Sequence, residues 1–449
     1  MRGEVSAVED TSSPRGNGTP SDAGRSSDDA GEGGRRRRRR ALRWSALVLA
    51  VVISGSAGAG YLYYRHLNGN IRKDALNIGA HRDRAVAVTA NAAGQTPLNI
   101  LLIGSDARNS AENQKLGGAR DTYNTTPRAD VQMLLHLSAD RTNMSAVSMP
   151  RDTLVDIPEC TDPDTGTVYP ALTRTITNDS LGRGGPGCTV ATWEKLTGVH
   201  IDHFMMIDFA GVVSMADAVG GVPVCVDANI HSLSADGHGS GLKLPEGTTS
   251  VKGVQALQWL RTRYGFEDNT DIARAKAQHQ YMNAMVRELR ANATLSNPGK
   301  LRTLAETATQ ALTVDDGLGT VAQLYALSEE LRKVPTERIT MTTMPWEYST
   351  TASGRVVPRP HDADQLFRLV REDIALDGKD PKSAPTTVSA TPLTPSAPAS
   401  ASTPASPSAS ASPSPSASAG DDDTTPDSAE AINGSDATQC MHVNPGYTW

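Results

Sequence analysis

The sequence lacks the short motifs that mark several common chemistries. It has no Gly-x-Ser-x-Gly segment of the kind that presents a serine nucleophile, and no Walker-type phosphate loop. Its four cysteines include no Cys-x-x-Cys pair, and their spacings match no zinc template. The net charge is only −7, and the one dense basic run, at 35–40, adjoins an apolar segment. These absences disfavour serine hydrolases, P-loop enzymes, zinc proteins and nucleic-acid binding.

One uncharged apolar stretch is long enough to span a membrane. It reads WSALVLAVVISGSAGAGYLYY at 44–64, close to the ~20 residues that a spanning helix needs. Aromatic residues lie at both ends, and the arginines of 35–40 precede it. We therefore predict a single-pass cell-membrane anchor at 42–64, with a cytoplasmic N-terminus and an extracellular remainder. The small residues of 56–59 leave a cleavable signal peptide as the alternative, although the length of the stretch favours an anchor.

Composition divides the rest of the chain. Residues 1–40 are predicted to be a disordered basic cytoplasmic tail, 65–95 a polar spacer, and 379–449 a Ser/Ala/Pro-rich low-complexity tail. Both tails have too few apolar residues to offset the entropy cost of ordering. The final segment, NGSDATQCMHVNPGYTW, differs because it carries a cysteine and two aromatic residues, so docking on the domain is its alternative interpretation. One folded catalytic domain at 96–378 remains.

That domain has the pattern of an α/β fold, with short aliphatic runs alternating with longer periodic segments. The alternation predicts a mixed central sheet flanked by helices on both faces. The strands predicted for this sheet are 98–103, 131–137, 144–148, 204–208, 222–226 and 339–344. The predicted helices are 190–197, 209–219, 252–260, 271–291, 301–311 and 318–333.

The cysteines are an even set in a compartment that the predicted topology makes oxidising. We predict a disulfide between Cys160 and Cys188, which would close the polar, Gly/Pro-rich loop between them. Cys225 with Cys440 is the pairing that docking of the last segment would require.

Charged residues lie next to the ends of three predicted strands. Asp106 follows the first strand, Arg128 and Asp130 precede the second, and Arg151 follows the third. In α/β folds the loops beyond strand ends usually carry the functional site. The two carboxylates among arginines also suit Mg²⁺, which takes few protein oxygens and bridges phosphates, although ordinary turn or capping roles are the alternative.

A fourth cluster lies in the segment ALQWLRTRYGFEDNTDIARAKAQHQ. Arg261 and Arg263 project to the same side if the chain is extended there, and Asp271, Arg274 and Gln278 have the i, i+3, i+7 spacing of one helical face. Five arginines are then available to converge, more than the nearby carboxylates require, and we expect Arg263 and Arg274 to lie outside the core. Guanidinium groups match phosphate oxygens bidentately, which predicts a diphosphate ligand; capping and surface ion pairs are the alternative for any single arginine.

These segments resemble the LytR-CpsA-Psr family of cell-wall ligases over about residues 97–290. The resemblance is carried, in family order, by NILLIGSDAR, RADV, SMPRDT, GVHIDHFMMIDFAGVVSMADAVGGVPVCVD, LPEGTTSVKGVQALQWLRTRY and DIARAKAQHQYMNAM. It implies that Asp106 and Asp130 hold Mg²⁺ and that Asp271 is a base or an arginine orienter. It also implies that the diphosphate of a polyprenyl carrier is surrounded by Arg128, Arg151, Arg261, Arg263, Arg274 and Gln278.

The implied activity is a Mg-dependent phosphotransferase that moves a wall glycopolymer from a polyprenyl-diphosphate-linked glycan to peptidoglycan at the cytoplasmic membrane. A polyprenyl-diphosphate phosphohydrolase and a non-catalytic envelope regulator are the alternatives. Two departures from the family pattern stand out. Thr177 separates Ile176 from Asn178 where an Ile-Asn-Ala-type stretch is common, and Lys276-Ala277 precedes Gln278 where an arginine is frequent.

Overall fold

The structure is a computed structural model, and it describes residues 31–79, 84–91, 93–107, 110–116, 126–234, 236–292, 298–379, 431–433 and 440–449. Residues 1–30 of the predicted cytoplasmic tail, and 380–430 and 434–439 of the predicted low-complexity tail, lie outside these ranges. The chain divides into a unit at 1–63 and a larger unit at 64–449.

The helices of the described residues are α1 (Gly31–Asn70), α2 (Ala111–Leu116), α3 (Pro186–Thr197), α4 (Phe209–Val219), α5 (Gly253–Arg261), α6 (Asp271–Asn292), α7 (Pro298–Ala311), α8 (Val321–Arg332) and α9 (Pro360–Arg371). Within α1, the segment Arg40–Asn70 is the one helix of the described part of the chain with the length and apolar composition needed to cross a membrane. Residues 31–40, which the sequence assigned to a disordered tail, are helical.

The described strands are β1 (Arg72–Lys73), β2 (Leu98–Ser105), β3 (Ala129–Leu137), β4 (Met144–Ser148), β5 (Leu154–Ile157), β6 (Cys160–Thr161), β7 (Val168–Tyr169), β8 (Leu172–Ile176), β9 (His203–Ile207), β10 (Val222–Val226), β11 (Ile230–His231), β12 (Lys243–Leu244), β13 (Gly247–Val251), β14 (Leu312–Val314), β15 (Ile339–Thr343), β16 (Trp346–Tyr348), β17 (Val356–Pro358) and β18 (Ala431–Asn433).

The central sheet has eight strands in the order β1-β14-β9-β2-β3-β4-β15-β18. β9 pairs parallel to β2 and β15 parallel to β4, whereas β3 pairs antiparallel to both of its neighbours. The predicted mixed sheet is therefore confirmed. One predicted strand does not extend it: β10 pairs with β13 in a separate two-stranded sheet. Its aliphatic alternation requires a buried face, and a second core satisfies that requirement as well as the first.

Helices cover both faces of the central sheet, as the alternation of side chains along β2 requires. Leu101 and Ile103 point into a core with Trp193 of α3 and Leu366 of α9. Ile100 points into the opposite core, which includes residues of α8. The fold class predicted from the sequence is thus confirmed.

A second hydrophobic core is built on β10 and β13 with α5 and α6. Trp259 of α5 is fully buried there, and its indole N–H donates to the carbonyl of Ala277 in α6 at 2.9 Å. Val224 of β10 belongs to the same core. This packing sets the position of the chain between α5 and α6, which carries Arg263.

Parts of the predicted spacer and low-complexity tail belong to the folded domain. In the spacer, Leu67 and Ile71 are buried, and β1 pairs with β14. In the tail, β18 pairs antiparallel with β15. The cysteines form two disulfides, the predicted Cys160–Cys188 bond and the 225–440 bond that docking of the last segment requires. A few well-placed apolar residues and one covalent bond anchor segments whose average composition indicates disorder.

Candidate active site

The site begins where β2 ends and β3 begins. Ser105 pairs with Ala129 as the last pair of this ladder. Beyond this pair, two hydrogen bonds join Asp106 and Arg128. The Asp106 amide donates to the Arg128 carbonyl at 3.1 Å, and the Arg128 amide donates to Asp106 Oδ1 at 2.6 Å. Arg128 Nε lies 3.1 Å from Asp179 Oδ1, and its side chain is half exposed. The strand ends therefore hold one acid and one arginine in a defined register.

Arg151 is the centre of an ion-pair network. Its Nη1 lies 3.3 Å from Asp130 Oδ1, and its Nε lies 3.5 Å from Asp271 Oδ1 and 3.7 Å from Asp152 Oδ2. Burial lowers the pKa of the Arg151 guanidinium, but the three carboxylates outweigh burial and raise the pKa above its usual value. The residue that follows β4 is thus joined to β3 and to the first turn of α6.

Arg274 is the most buried charge of the site, with 6% of its surface exposed. Its Nη2 lies 2.7 Å from Asp271 Oδ1, and 3.5 Å from the Asp130 carbonyl. Its Nε has no hydrogen-bond partner among the described residues. Burial lowers the pKa of Arg274; Asp271 opposes this shift, and the neighbouring Arg151 adds to it. The expectation that this arginine lies outside the core is wrong, because α6 packs its inner face against the second core.

Sequence reasoning missed Arg355. This residue lies between β16 and β17, and its guanidinium forms an ion pair with Asp152. The backbone supports the contact, because the Val356 amide donates to the Asp152 carbonyl at 3.4 Å and Val356 bridges to Thr153. No motif marks Arg355, since it reaches the site from about 200 residues away in the sequence, and only the pairing of the hairpin brings it there.

The charges of this network balance. The sequence suggested an excess of arginines over nearby carboxylates; this network by itself has none, and Arg263 lies outside it. The members are Arg151, Arg274 and Arg355 with Asp130, Asp152 and Asp271. The arginines are therefore held in place by acids rather than left to repel one another. An incoming anion has to compete with or add to these pairs.

Arg261 and Arg263 contact different parts of the molecule. Arg261 Nη1 donates to the Leu116 carbonyl at 3.1 Å, and its guanidinium lies over the Phe209 ring at 4.8 Å. Arg263 Nε donates to the Asn269 carbonyl at 3.3 Å, and no carboxylate contacts Arg263 among the described residues. Arg263 thus keeps a positive charge that the described acids do not neutralise.

Gln278 is buried and ties the two helices together, because its Nε2 donates to the Leu260 carbonyl at 3.1 Å. The stretch 176–178, where the sequence departs from the family pattern, lies directly against the network, because the Asn178 amide donates to the Arg151 carbonyl at 3.4 Å. At the other departure, the Lys276-Ala277 pair that precedes Gln278, Lys276 Nζ lies 3.5 Å from Glu267 Oε2.

The acids suit a magnesium ion by their chemistry. Asp106 and Asp130 flank the last residue pair of the β2–β3 ladder and offer the hard oxygen atoms that Mg²⁺ prefers. Across the described residues, no group of three or more His, Cys, Asp or Glu side chains could hold a metal by itself. Two carboxylates fit an ion that completes its shell with water and substrate phosphate.

His279 is fully buried on α6, the helix that also carries Asp271 and Arg274. Its Nε2 is 3.0 Å from Ser148 Oγ at the end of β4. Burial lowers the pKa of His279 from 6.5 to about 4. The imidazole is therefore neutral at pH 7 and adds no charge to the site.

Known proteins resemble this chain in sequence, and a solved structure superimposes on part of it. Over 323 residues it is 28% identical to the cell wall biosynthesis protein LcpA of Corynebacterium glutamicum, an alignment that spans 67% of this chain and 58% of LcpA. Over 262 residues it is 26% identical to the polyisoprenyl-teichoic acid–peptidoglycan teichoic acid transferase TagU of Bacillus mycoides, covering 58% of this chain and 75% of TagU. A solved LytR-Csp2A-Psr enzyme from Actinomyces oris superimposes with a TM-score of 0.47 and 20% identity, over 67% of this chain and 96% of that one.

The family assignment comes from the sequence profile of the whole domain. The family model described as LytR_cpsA_psr matches residues 63–367, which include every predicted site residue. That range is more than half of the chain, and the motifs that carried the resemblance lie within it. The chain belongs to the LytR_cpsA_psr family.

Proposed function

We propose that the domain is a phosphotransferase that moves an anionic or secondary wall glycopolymer from a polyprenyl-diphosphate carrier to peptidoglycan. The observation that carries the proposal is the pair Arg151 and Arg274, which are joined by Asp271 in the first turn of α6. A buried guanidinium with an unsatisfied Nε is costly unless an anion completes its hydrogen bonds. A diphosphate has the charge and the oxygen atoms to do so.

The residues divide by their positions. Arg151 and Arg274 bind phosphate oxygens directly, and Asp271 orients both guanidinium groups. Arg128 binds from the strand ends, while Arg263 brings a charge that the described carboxylates do not neutralise. Arg261 and Gln278, on the α5–α6 side, complete the ligand set. Arg355 contributes by holding Asp152 and thereby Arg151.

The reaction is a displacement at phosphorus. A peptidoglycan hydroxyl attacks the phosphorus nearest the glycan, and its oxygen forms the new phosphoester bond. The bond from that phosphorus to the bridging oxygen breaks, so prenyl phosphate leaves with the bridging oxygen, and the hydroxyl proton passes to a carboxylate or to solvent. The arginines stabilise the charge that grows on the leaving phosphate, so no covalent enzyme intermediate is needed. When bound by Asp106 and Asp130, Mg²⁺ would supply further neutralisation of the diphosphate.

The membrane helix and the relatives support this substrate. A polyprenyl carrier resides in the membrane, and one helix of the described residues is suited to anchor the chain there. The arginines that precede the apolar stretch favour a cytoplasmic N-terminus and an extracellular domain, where peptidoglycan lies. The names of LcpA and TagU refer to cell wall biosynthesis and to transfer of teichoic acid to peptidoglycan.

The test is turnover by the purified full chain in detergent, with a polyprenyl-diphosphate-linked glycan, peptidoglycan and Mg²⁺. Glycan coupled to peptidoglycan and glycan phosphate released to water are measured separately. We expect Arg263→Ala to reduce transfer by ~100-fold, in the range found for loss of one charge-stabilising donor. Arg302→Ala, an exposed arginine of α7, is the matched control and should retain activity.

Each other outcome assigns a different function. Release of prenyl phosphate and free glycan phosphate with no coupled glycan makes the protein a phosphohydrolase. Binding of the lipid-linked glycan with no turnover makes it a regulator. Normal transfer by both Arg263→Ala and Arg151→Ala would remove the arginine cluster from the mechanism.

A further inference from the structure

The chain that carries Arg263 adopts a strained conformation. We call residues 262–270 the arginine loop. Glu267 and Asn269 in this loop have φ of 42° and 61°, and Gly265 has φ of 115°. A non-glycine residue in this region costs ~1 kcal/mol or more and persists only where surrounding structure imposes it. Something outside the loop must therefore hold it.

Part of the support is internal. Asn269 Oδ1 accepts from the Gly265 amide at 2.7 Å, and the Asn269 carbonyl accepts from Arg263 Nε at 3.3 Å. The loop conformation and the direction of the Arg263 side chain are therefore linked. A change at Asn269 is transmitted to the guanidinium.

The external support comes from residues 440–449, which we call the clasp. The Asn444 amide donates to the Gly265 carbonyl at 3.0 Å, and Asn444 Nδ2 donates to the Glu267 carbonyl at 2.6 Å. The Glu267 amide donates to the His442 carbonyl at 2.9 Å. Val443 is buried and bridges to Phe266. The clasp thus forms hydrogen bonds with both the amide and the carbonyl of the strained Glu267 and with the carbonyl of Gly265.

The clasp is itself fixed to β10. Cys440 forms a disulfide with Cys225, and the Met441 amide donates to the Cys225 carbonyl at 2.9 Å. Asp227 accepts from the Val443 amide at 2.8 Å. The clasp therefore bridges the second core and the arginine loop.

We infer that the clasp is a positioning element for the transfer reaction, and that Asn444 acts through Arg263. This inference rests on the proposed function, because Arg263 has to contact the diphosphate for its position to matter. The clasp holds the strained loop so that the Arg263 guanidinium is already oriented when substrate arrives. Such preorganisation reduces the ordering cost of binding.

The experiment is a double-mutant cycle on the full chain in detergent, with the same lipid-linked glycan. Asn444→Ala alone should lower kcat/KM by ~10-fold, mainly through KM, and should have no further effect in the Arg263→Ala background. Thr448→Ala is the control, since it removes an exposed side chain of the clasp whose hydroxyl donates to the Pro445 carbonyl within the clasp; it should match wild type. Cys440→Ser releases the whole clasp and should produce a larger effect, with faster hydrogen exchange in the arginine loop.

The outcomes separate the two levels of the argument. If Asn444→Ala lowers kcat/KM by the same factor in both backgrounds, the clasp only stabilises the fold and the inference is wrong. If Arg263→Ala is impaired while Asn444→Ala and Cys440→Ser are as active as wild type, the clasp is irrelevant and the proposed function stands. If Arg263→Ala is itself fully active, the role of Arg263 fails and the inference fails with it.

Discussion

The buried ion pair on α6 predicts a large loss of stability when its carboxylate is removed. Asp271 and Arg274 are 2.7 Å apart, with side chains only 13% and 8% exposed. Asp271→Asn keeps the shape of the acid but leaves a guanidinium buried without its charge partner, which costs ~3–5 kcal/mol. Arg151 loses a partner at the same time, because its Nε lies 3.5 Å from the same oxygen.

The measurement is the free energy of unfolding of the purified protein in urea. Glu306→Gln is the matched control, because Glu306 and Arg302 also form a helical pair, at 3.0 Å, but with side chains 32% and 68% exposed. An exposed pair of this kind contributes only ~0.3–0.5 kcal/mol. If Asp271→Asn destabilises the protein no more than Glu306→Gln does, burial does not govern this pair and the account of the site electrostatics is refuted.

Three further predictions concern a histidine, the metal and a disulfide. Burial depresses the pKa of His279 to about 4, so between pH 6.5 and 4 the unfolded state binds a proton that the folded state does not. The free energy of unfolding should therefore fall by about 3 kcal/mol as pH drops across this window. In His279→Gln, the free energy of unfolding measured in urea should depend less on pH over the same window. Asp106→Asn or Asp130→Asn should preserve the fold while transfer falls and stops responding to added Mg²⁺; full wild-type activity in excess chelator would contradict the metal assignment. Replacing Cys160 and Cys188 by serine opens a loop with a separation of 28 residues and should cost ~3–4 kcal/mol, so an unchanged urea midpoint would count against this estimate.

The sequence by itself determined the class of the fold and many of its elements. Met144–Ser148, Phe209–Val219 and Val222–Val226 have the bounds that their side-chain patterns predict. Local periodicity is reliable in Phe209–Val219 and Val222–Val226 because each of these segments buries a single face, whereas Met144–Ser148 is buried along its whole length. The motifs also carried the family assignment, since the chemistry of a site requires particular residue types next to particular strand ends.

The tertiary structure decided where those elements and charges meet. Val222–Val226 joins a second sheet because its apolar face fits either core, and no local pattern distinguishes the two. Arg274 is buried and Arg355 reaches Asp152 because helix packing and a distant hairpin place them there. Residues 440–449 end a tail whose overall composition favours disorder, yet they hold the arginine loop, because one disulfide and a few backbone hydrogen bonds outweigh the loss of chain entropy. Such contacts depend on residues far apart in the chain, and single-sequence periodicity carries no information about them.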